Sequence, residues 1–138
     1  MREMSLETGA GSTLILLGGS LADIGRYADP RRTVLLVDPN VNRLHGALLE
    51  GHERVEVGAG EGAKTLANIE RLCRRLLELG VDRSWSVVGV GGGVTCDIAG
   101  FTASVFMRGL PFGFAPTSLL AQADAAIGGK NGVNLDGY

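Results

Sequence analysis

The sequence predicts a layered α/β domain built around a mainly parallel β-sheet. Short runs of aliphatic and β-branched residues alternate with helical patterns, which is typical of this architecture. The run at residues 86–90 (SVVGV) has almost no polar alternation, as expected for a central parallel strand covered on both faces. A chain of 138 residues, 45% hydrophobic, is long enough to bury one core. We therefore expect a single domain over residues 1–138, without a linker or repeat.

The first half of the chain alternates strands with short helices. Residues 13–17 (TLILL) form the first predicted strand, and Ser20 can cap the short helix that follows it. The second strand, residues 33–37 (TVLLV), runs into a loop in which Asn40 can cap a helix to about residue 49. A weaker third strand covers residues 54–57.

Residues 64–79 carry the clearest helical pattern. Their apolar side chains recur at three- and four-residue steps, and Gly80 follows as a terminator. The apolar set is Leu66, Ile69, Cys73, Leu76 and Leu77. After the strand at 86–90 we expect a helix over residues 96–107 that is buried on most faces, a strand at 112–115 and a last helix at 118–126.

Composition excludes several classes of protein. A net charge of −2 gives no pull toward nucleic acid or an anionic membrane, and no targeting segment or membrane span is apparent, so we expect a cytoplasmic protein. Cys73 and Cys96 have no zinc-ligand spacing and form no disulfide framework. A packed side chain is the favoured role of Cys96, with a thiolate at a helix start as the alternative. His45 and His52 have no third ligand beside them, so we predict no metal site.

Gly91, Gly92 and Gly93 follow the central strand and precede a helix. Backbone amides there can approach a pyrophosphate, which favours a dinucleotide. Val94 occupies the place of the last glycine of the common dinucleotide fingerprint, so a tight turn without a ligand is the alternative. Asp38 ends the second strand, where it can accept hydrogen bonds from ribose hydroxyls; an Asp-Pro turn is its structural alternative.

The stretch from residue 91 to 138 holds few charges and reads as interior. Its five charged residues are Asp97, Arg108, Asp124, Lys130 and Asp136. A charged side chain in such surroundings must be paired with an opposite charge or take part in function, because burying an isolated charge costs free energy. We place Asp97 in the first turn of its helix, where the dipole stabilises a carboxylate. Asp124 and Lys130 are the strongest candidates for contacting a polyol substrate, and a salt bridge between them is the alternative.

Four ordered motifs in this stretch together resemble 3-dehydroquinate synthase. They are Gly-Gly-Gly-Val-x-x-Asp from Gly91, Met-Arg-Gly from Met107, Pro-Thr-Ser-Leu-Leu-Ala-Gln from Pro116 and Asp-x-x-x-Gly-Gly-Lys from Asp124. The resemblance implies a Rossmann-like domain that binds NAD. It also implies a divalent metal, zinc or cobalt, held by a C-terminal helical domain that this sequence lacks.

The resemblance also carries functional residues over by position. The cofactor-binding set it supports, together with the glycine loop, is Asp38, Asn40, Gly60, Glu61, Lys64, Gly91, Gly92, Gly93, Val94, Asp97, Thr117, Ser118, Asp124 and Lys130. Asp97 matches a nicotinamide-side contact, although Cys96 replaces the glycine usual before it. Ala59 replaces an aspartate usual before Gly60. Asp124, Lys130 and Arg108 match catalytic positions. Arg108 matches an arginine that lies near the substrate phosphate and can serve a neighbouring subunit's site.

The implied reaction is the shikimate-pathway lyase step of aromatic amino acid biosynthesis, from 3-deoxy-D-arabino-heptulosonate 7-phosphate to 3-dehydroquinate and phosphate, with NAD regenerated. The implied assembly is a homo-oligomer, a dimer in the family. We expect this chain alone to fold but not to catalyse, with an apolar flank at residues 119–127 left exposed. The alternatives are a non-catalytic nucleotide-binding or assembly module, or half of a related sugar-phosphate cyclase or polyol dehydrogenase.

Overall fold

The computed structural model describes residues 1–9 and 11–138 and places six strands in two sheets. β1 (Arg2–Thr8) and β2 (Gly11–Leu17) form an antiparallel hairpin. β3 (Thr33–Val37), β4 (Glu53–Glu56), β5 (Ser86–Gly91) and β6 (Phe112–Pro116) form a parallel sheet in the order β4-β3-β5-β6. The predicted α/β class with a mainly parallel sheet is therefore confirmed.

The predicted strand at residues 13–17 is confirmed, within β2. It does not join the parallel sheet, however, but pairs with β1, a strand that was not predicted. Both strands of the hairpin are largely exposed, and Leu6 and Leu14 are about half exposed. An apolar run identifies a strand but not the sheet that accepts it, because pairing partners lie elsewhere in the chain.

In the described part of the chain, four α-helices connect these strands. They are α1 (Ile24–Tyr27), which follows a 3-10 turn over Leu21–Asp23, α2 (Pro39–His45), α3 (Leu66–Glu78) and α4 (Gly93–Val105). A π-helical turn over Ala121–Ala125 takes the place of most of the predicted last helix. Among the described residues, no helix is both long and apolar enough to cross a membrane.

The core lies on both faces of the parallel sheet. In β3, Val34 and Leu36 belong to a cluster with Leu72 and Ile98, on the side of α3 and α4. The alternate residues Leu35 and Val37 pack on the opposite face, where Ile24 and Val41 of α1 and α2 are among their neighbours. Successive side chains of a strand point to opposite faces, so a strand covered on both sides is apolar throughout.

α3 forms where its pattern predicts, but its buried face differs in detail. Thr65 caps it by accepting a hydrogen bond from the Asn68 amide at 3.2 Å. Gly80, in the left-handed region at φ 72°, ends it as predicted. The buried residues are Ile69, Leu72 and Leu76. Leu66 and Leu77 are about half exposed, contrary to the predicted apolar face, because both lie toward its edges.

Two predicted helix starts were wrong. Asp38, not Asn40, caps α2: its Oδ1 accepts from the amides of Asn40 at 2.8 Å and Val41 at 3.2 Å. Pro39 then takes the first helical position, which suits its missing N–H. α4 begins at Gly93 rather than at residue 96 and ends at Val105, because Met107 has a positive φ of 47°.

Candidate functional site

The predicted glycine loop lies at the centre of the parallel sheet, at its carboxyl edge. Gly91 is the last residue of β5, Gly92 is the N-cap of α4 and Gly93 is its first residue. The flanking strands end beside it, since the Asp38 amide donates to the Val90 carbonyl at 3.0 Å and the Thr117 amide donates to the Gly91 carbonyl at 2.8 Å. Ligands of open α/β sheets bind at this edge.

Each glycine of the triplet has a different steric role. A Cβ on Gly91 would lie 2.5 Å from Thr95 Oγ1, so the strand and helix pack too closely there for any side chain. A Cβ on Gly92 would lie 3.6 Å from Ser118 Oγ, which is ordinary contact distance. Gly92 therefore keeps open a gap between the loop and Ser118, whereas Gly91 serves packing.

No side chain caps the first turn of α4. Gly92 has none to offer, so the first amides of this 13-residue helix have no side-chain cap and are available for another acceptor. Val94 lies in this turn, and its half-buried side chain packs against the core. Any contact from Val94 to a ligand would therefore come from its backbone.

Lys64 and Asp97 form the closest ion pair of the site. Lys64 Nζ donates to Asp97 Oδ2 at 2.8 Å, and both side chains are mostly buried. Lys64 Nζ also lies 3.6 Å from Glu61 Oε1. The hydrogen bond to Asp97 is the main reason that the pKa of Lys64 is raised. Asp97 lies one turn into α4, so its predicted placement in the first turn was wrong, and Lys64 rather than the helix dipole is its partner.

The Gly60 turn brings three predicted residues to this pair. Gly60 adopts φ 72° and precedes a 3-10 turn over Glu61–Ala63, which leads directly to Lys64. The Glu61 carboxylate is exposed, and its pKa is lowered chiefly by a hydrogen bond from the Asn134 side chain. Asn134 was not among the predicted site residues. No local pattern marks it, since it lies 73 positions from Glu61.

The Ser118 hydroxyl, predicted to bind a cofactor, acts as a helix cap. It accepts a hydrogen bond from the Ala121 amide at 3.3 Å, while the backbone amide of Thr117 donates to the Gly91 carbonyl at the end of β5. Both residues are exposed beside the Gly92 gap. Asn40 is exposed in the first turn of α2.

Asp124 and Lys130 do not form the salt bridge considered as their alternative. Within the part of the chain that the structure describes, no ion pair joins them, and both are exposed. They flank Gly128, where a Cβ would lie 3.1 Å from Asp124 Oδ1 and 3.8 Å from Lys130 Cε. The two side chains thus lie close to one another without forming an ion pair.

The segment around Asp124 is less buried than its composition indicates. Leu119 is 82% exposed, Leu120 74% and Ile127 55%. The predicted exposed apolar flank at residues 119–127 is confirmed, and the expectation that residues 91–138 are interior throughout was wrong. Most of α4 is buried, whereas the chain beyond β6 is mostly exposed or half-buried, except for Ala121.

Arg108 lies far from the other candidates within this chain. It follows the carboxyl end of α4, about 20 Å along the helix from Gly93 at 1.5 Å per residue. Nearby, the Pro111 carbonyl accepts from the amide of Val87, near the start of β5, so Arg108 lies toward the amino edge of the sheet. A single chain therefore does not bring Arg108 to the Asp124 side of the domain.

The described residues contain no group of three or more His, Cys, Asp or Glu side chains placed to hold a metal ion. His52 is half-buried with Nε2 3.4 Å from the Ala28 carbonyl. Cys96 is fully buried in α4, and burial is the main cause that raises its pKa to about 11. Cys96 thus has the packing role that the sequence favoured.

A cleft of about 570 Å³ lies beside this site, on the β4 side of the Gly60 turn. Its walls include Pro39, Val57, Ala59, Thr65 and Arg71. It does not reach the glycine loop or Asp97. The Arg71 guanidinium donates to the Glu56 carbonyl and to Asn68 at 2.9 Å, so this cation is already engaged.

The fold and the glycine-rich junction at its carboxyl edge define a doubly wound α/β domain. Comparison with known proteins identifies the family: residues 54–138 match the model described as 3-dehydroquinate synthase N-terminal. The chain belongs to this family.

Individual relatives agree with this assignment. The chain is 41% identical to 3-dehydroquinate synthase of Alkaliphilus metalliredigens, over 99% of this chain and 40% of the relative. It thus spans about two fifths of the length of that relative. A crystal structure of 2-deoxy-scyllo-inosose synthase superposes with a TM-score of 0.86 at 25% identity, over 98% of this chain and 42% of that one. The 2-epi-5-epi-valiolone synthase of Streptomyces hygroscopicus, solved with NAD+ and Zn2+ bound, gives 0.67 at 33% identity, over 75% and 31%.

Proposed function

We propose that residues 1–138 form the NAD-binding domain of a 3-dehydroquinate synthase, which converts 3-deoxy-D-arabino-heptulosonate 7-phosphate to 3-dehydroquinate and phosphate. The observation that carries the proposal is the helix start at Gly92, at the centre of the sheet, which no side chain caps and where a Cβ would reach only ordinary contact distance from Ser118. Family membership supports the reaction. The proposal makes this chain one part of the catalytic unit.

The residues around the gap fit a dinucleotide. The amides of the first turn of α4 suit a pyrophosphate, because a helix N-terminus favours an anion. Asp38 caps α2 through Oδ1, which leaves Oδ2 for a ribose hydroxyl. Thr117 and Ser118 border the gap with hydroxyl groups. The relative from Streptomyces hygroscopicus binds NAD+, which supports the same cofactor here.

When bound, NAD supplies a reversible acceptor for hydride from a substrate alcohol. The chain's own residues bind and orient the cofactor and the substrate. Lys64 and Asp97 hold each other in a fixed, mostly buried pair, which suits recognition of the nicotinamide side. Asp124 and Lys130 are exposed at the carboxyl edge with charges not used on each other, which suits hydroxyl and phosphate oxygens of the substrate.

In this proposal Arg108 acts in the site of a neighbouring subunit. It lies near the opposite edge of the sheet from Gly92, so it serves the substrate phosphate in a second copy rather than in its own chain. A dimer follows from this assignment. The divalent metal does not fit the described side chains, so we derive no step through it from this chain. We therefore propose that residues 1–138 alone bind NAD but do not turn over substrate.

The test is a titration of NAD into the 138-residue chain by calorimetry, followed by an activity assay. Turnover is measured as phosphate release with zinc or cobalt present, for the chain alone and after mixing with the separately produced carboxyl-terminal part of a relative. NAD binding with turnover only in the mixture supports the proposal. NAD binding without turnover in any mixture supports a non-catalytic module instead, and turnover by the chain alone contradicts the proposed division of labour.

A substitution tests the role of Asp124. Transferred to the matching position of a full-length relative, Asp124→Asn should lower turnover far more than it lowers melting temperature, because the exposed carboxylate has no salt bridge to lose. A large loss of melting temperature with activity retained per folded molecule would assign Asp124 to stability.

A further inference from the structure

Residues 131–134, which we call the strap, cross from α4 to the Gly60 turn. At one end, the Asn131 side chain lies against Gly100 of α4, where any Cβ would collide with its amide. Val133 packs against the core between them. At the other end Asn134 reaches the Gly60 turn. Gly100 lies three residues after Asp97, on the same side of α4. The strap thus spans the two elements that supply the Lys64–Asp97 pair.

Asn134 holds the Gly60 turn at two points. Its backbone amide donates to the Lys64 carbonyl at 2.8 Å, and its side-chain Nδ2 donates to Glu61 Oε1 at 2.8 Å. A β-bridge between Thr65 and Asn134 continues the contact. One residue therefore fixes both the backbone that carries Lys64 and the carboxylate that competes for its ammonium.

Two carboxylates can reach Lys64. Asp97 Oδ2 lies at 2.8 Å and Glu61 Oε1 at 3.6 Å, and this second oxygen is the one that Asn134 holds. Glu61 stands three residues before Lys64, the spacing at which side chains of a helical turn meet. Glu61 already forms a longer ion pair with this ammonium, and without the Asn134 amide its side chain would be free to move closer and compete more strongly with Asp97.

We propose that Asn134 is a positioning residue that directs the Lys64 ammonium to Asp97 by holding Glu61 at a distance. The strap begins directly after Lys130, so it also ties the substrate-side segment to the cofactor-side pair. An effect of Asn134 on NAD affinity rests on the proposed function. Its effect on the Lys64–Asp97 ion pair does not, because that pair forms in the chain without ligand.

The first test measures the coupling between Lys64 and Asp97 with a double-mutant cycle of Lys64→Met and Asp97→Asn in urea unfolding. The cycle is repeated with Asn134→Ala, and the coupling should fall. In Asn134→Asp the backbone hydrogen bond remains while a carboxylate faces Glu61, so the coupling should fall there too. Unchanged coupling in both variants overturns the proposal.

The matched control is Asn42→Ala. Asn42 donates its side-chain amide to Glu56 Oε1 at 2.8 Å, the same kind of bond at another exposed site. This substitution should leave the Lys64–Asp97 coupling unchanged. An equal loss of coupling in Asn42→Ala would overturn the proposal, because the effect would then be general to such bonds.

The second test is NAD affinity by calorimetry. Asn134→Ala should weaken binding roughly tenfold, equivalent to one lost hydrogen-bonded contact. Equal affinity in a folded Asn134→Ala variant overturns the link between this geometry and the cofactor. If the unsubstituted chain binds no NAD, the proposed function fails, and the coupling cycle alone then decides the role of Asn134.

Discussion

Substituting Gly92 by alanine separates a ligand-binding glycine from a packing glycine. The φ and ψ of Gly92, −78° and −170°, are extended angles that any residue adopts. Its new Cβ would lie 3.6 Å from Ser118 Oγ, so nothing in the protein would have to move. The methyl group would instead stand in the gap beside the first amides of α4, where we place the pyrophosphate.

The expected magnitudes differ sharply between binding and stability. Loss of two amide-to-phosphate hydrogen bonds, at about 1.5 kcal/mol or more each for a charged partner, weakens NAD binding on the order of 100-fold. The free energy of unfolding should fall by no more than about 1 kcal/mol, the difference between glycine and alanine at an N-cap, because the new Cβ meets no buried group. Calorimetry measures the first quantity and urea unfolding the second.

Gly91→Ala is the matched control. Its Cβ would lie 2.5 Å from Thr95 Oγ1 and 2.7 Å from Thr95 Cβ, and Thr95 is 1% exposed and has no room to move. Overpacking of this kind costs about 1–3 kcal/mol of stability. NAD affinity unchanged in a folded Gly92→Ala variant would refute the placement of the pyrophosphate, whatever Gly91→Ala does.

Three further predictions concern the core, the buried thiol and the ion pair. Leu72→Ala, at a fully buried position of α3, should lower the free energy of unfolding by about 2–5 kcal/mol, whereas Leu77→Ala, at a side chain 57% exposed, should change it by less than about 0.5 kcal/mol in urea unfolding. Cys96, whose pKa is raised to about 11, should react with iodoacetamide at pH 8 far more slowly in the folded chain than in urea, as mass spectrometry of its peptide would show; equal rates would contradict its burial. Because the pKa of Lys64 is raised, mainly by Asp97, its stabilising effect is complete below about pH 10.4 and is lost as the pH rises through the folded-state pKa; the urea midpoint should fall there, and by less in Lys64→Met.

Local patterns predicted the elements whose cause is local. α3 is recognisable because its periodic apolar residues and its terminating Gly80 all lie within one short segment. The central strand β5 is recognisable because burial on both faces removes polar alternation. The cap of α2 was misassigned because Asp38 and Asn40 are both good N-cap residues, and only the backbone angles decide between them.

Sheet membership needed the tertiary structure. The run at residues 13–17 has the composition of a buried strand, yet it pairs with β1 in an exposed hairpin. In residues 119–127, Leu119, Leu120 and Ile127 are exposed as predicted, whereas Ala121 is fully buried, so composition alone does not separate the covered from the uncovered side chains. Hydrophobicity shows that a segment is suited to burial. It does not show which other element packs against that segment.

The sequence by itself determined the α/β class, the glycine junction after the central strand and the family motifs, because each depends on residues that are neighbours in the chain. Only the tertiary structure decided which side chains meet. Lys64 and Asp97 pair across 33 positions, Glu61 and Asn134 across 73, and Arg108 is carried away from both by the length of α4. Contacts of this kind depend on how strands and helices are stacked, which the spacing of residues along the chain does not encode.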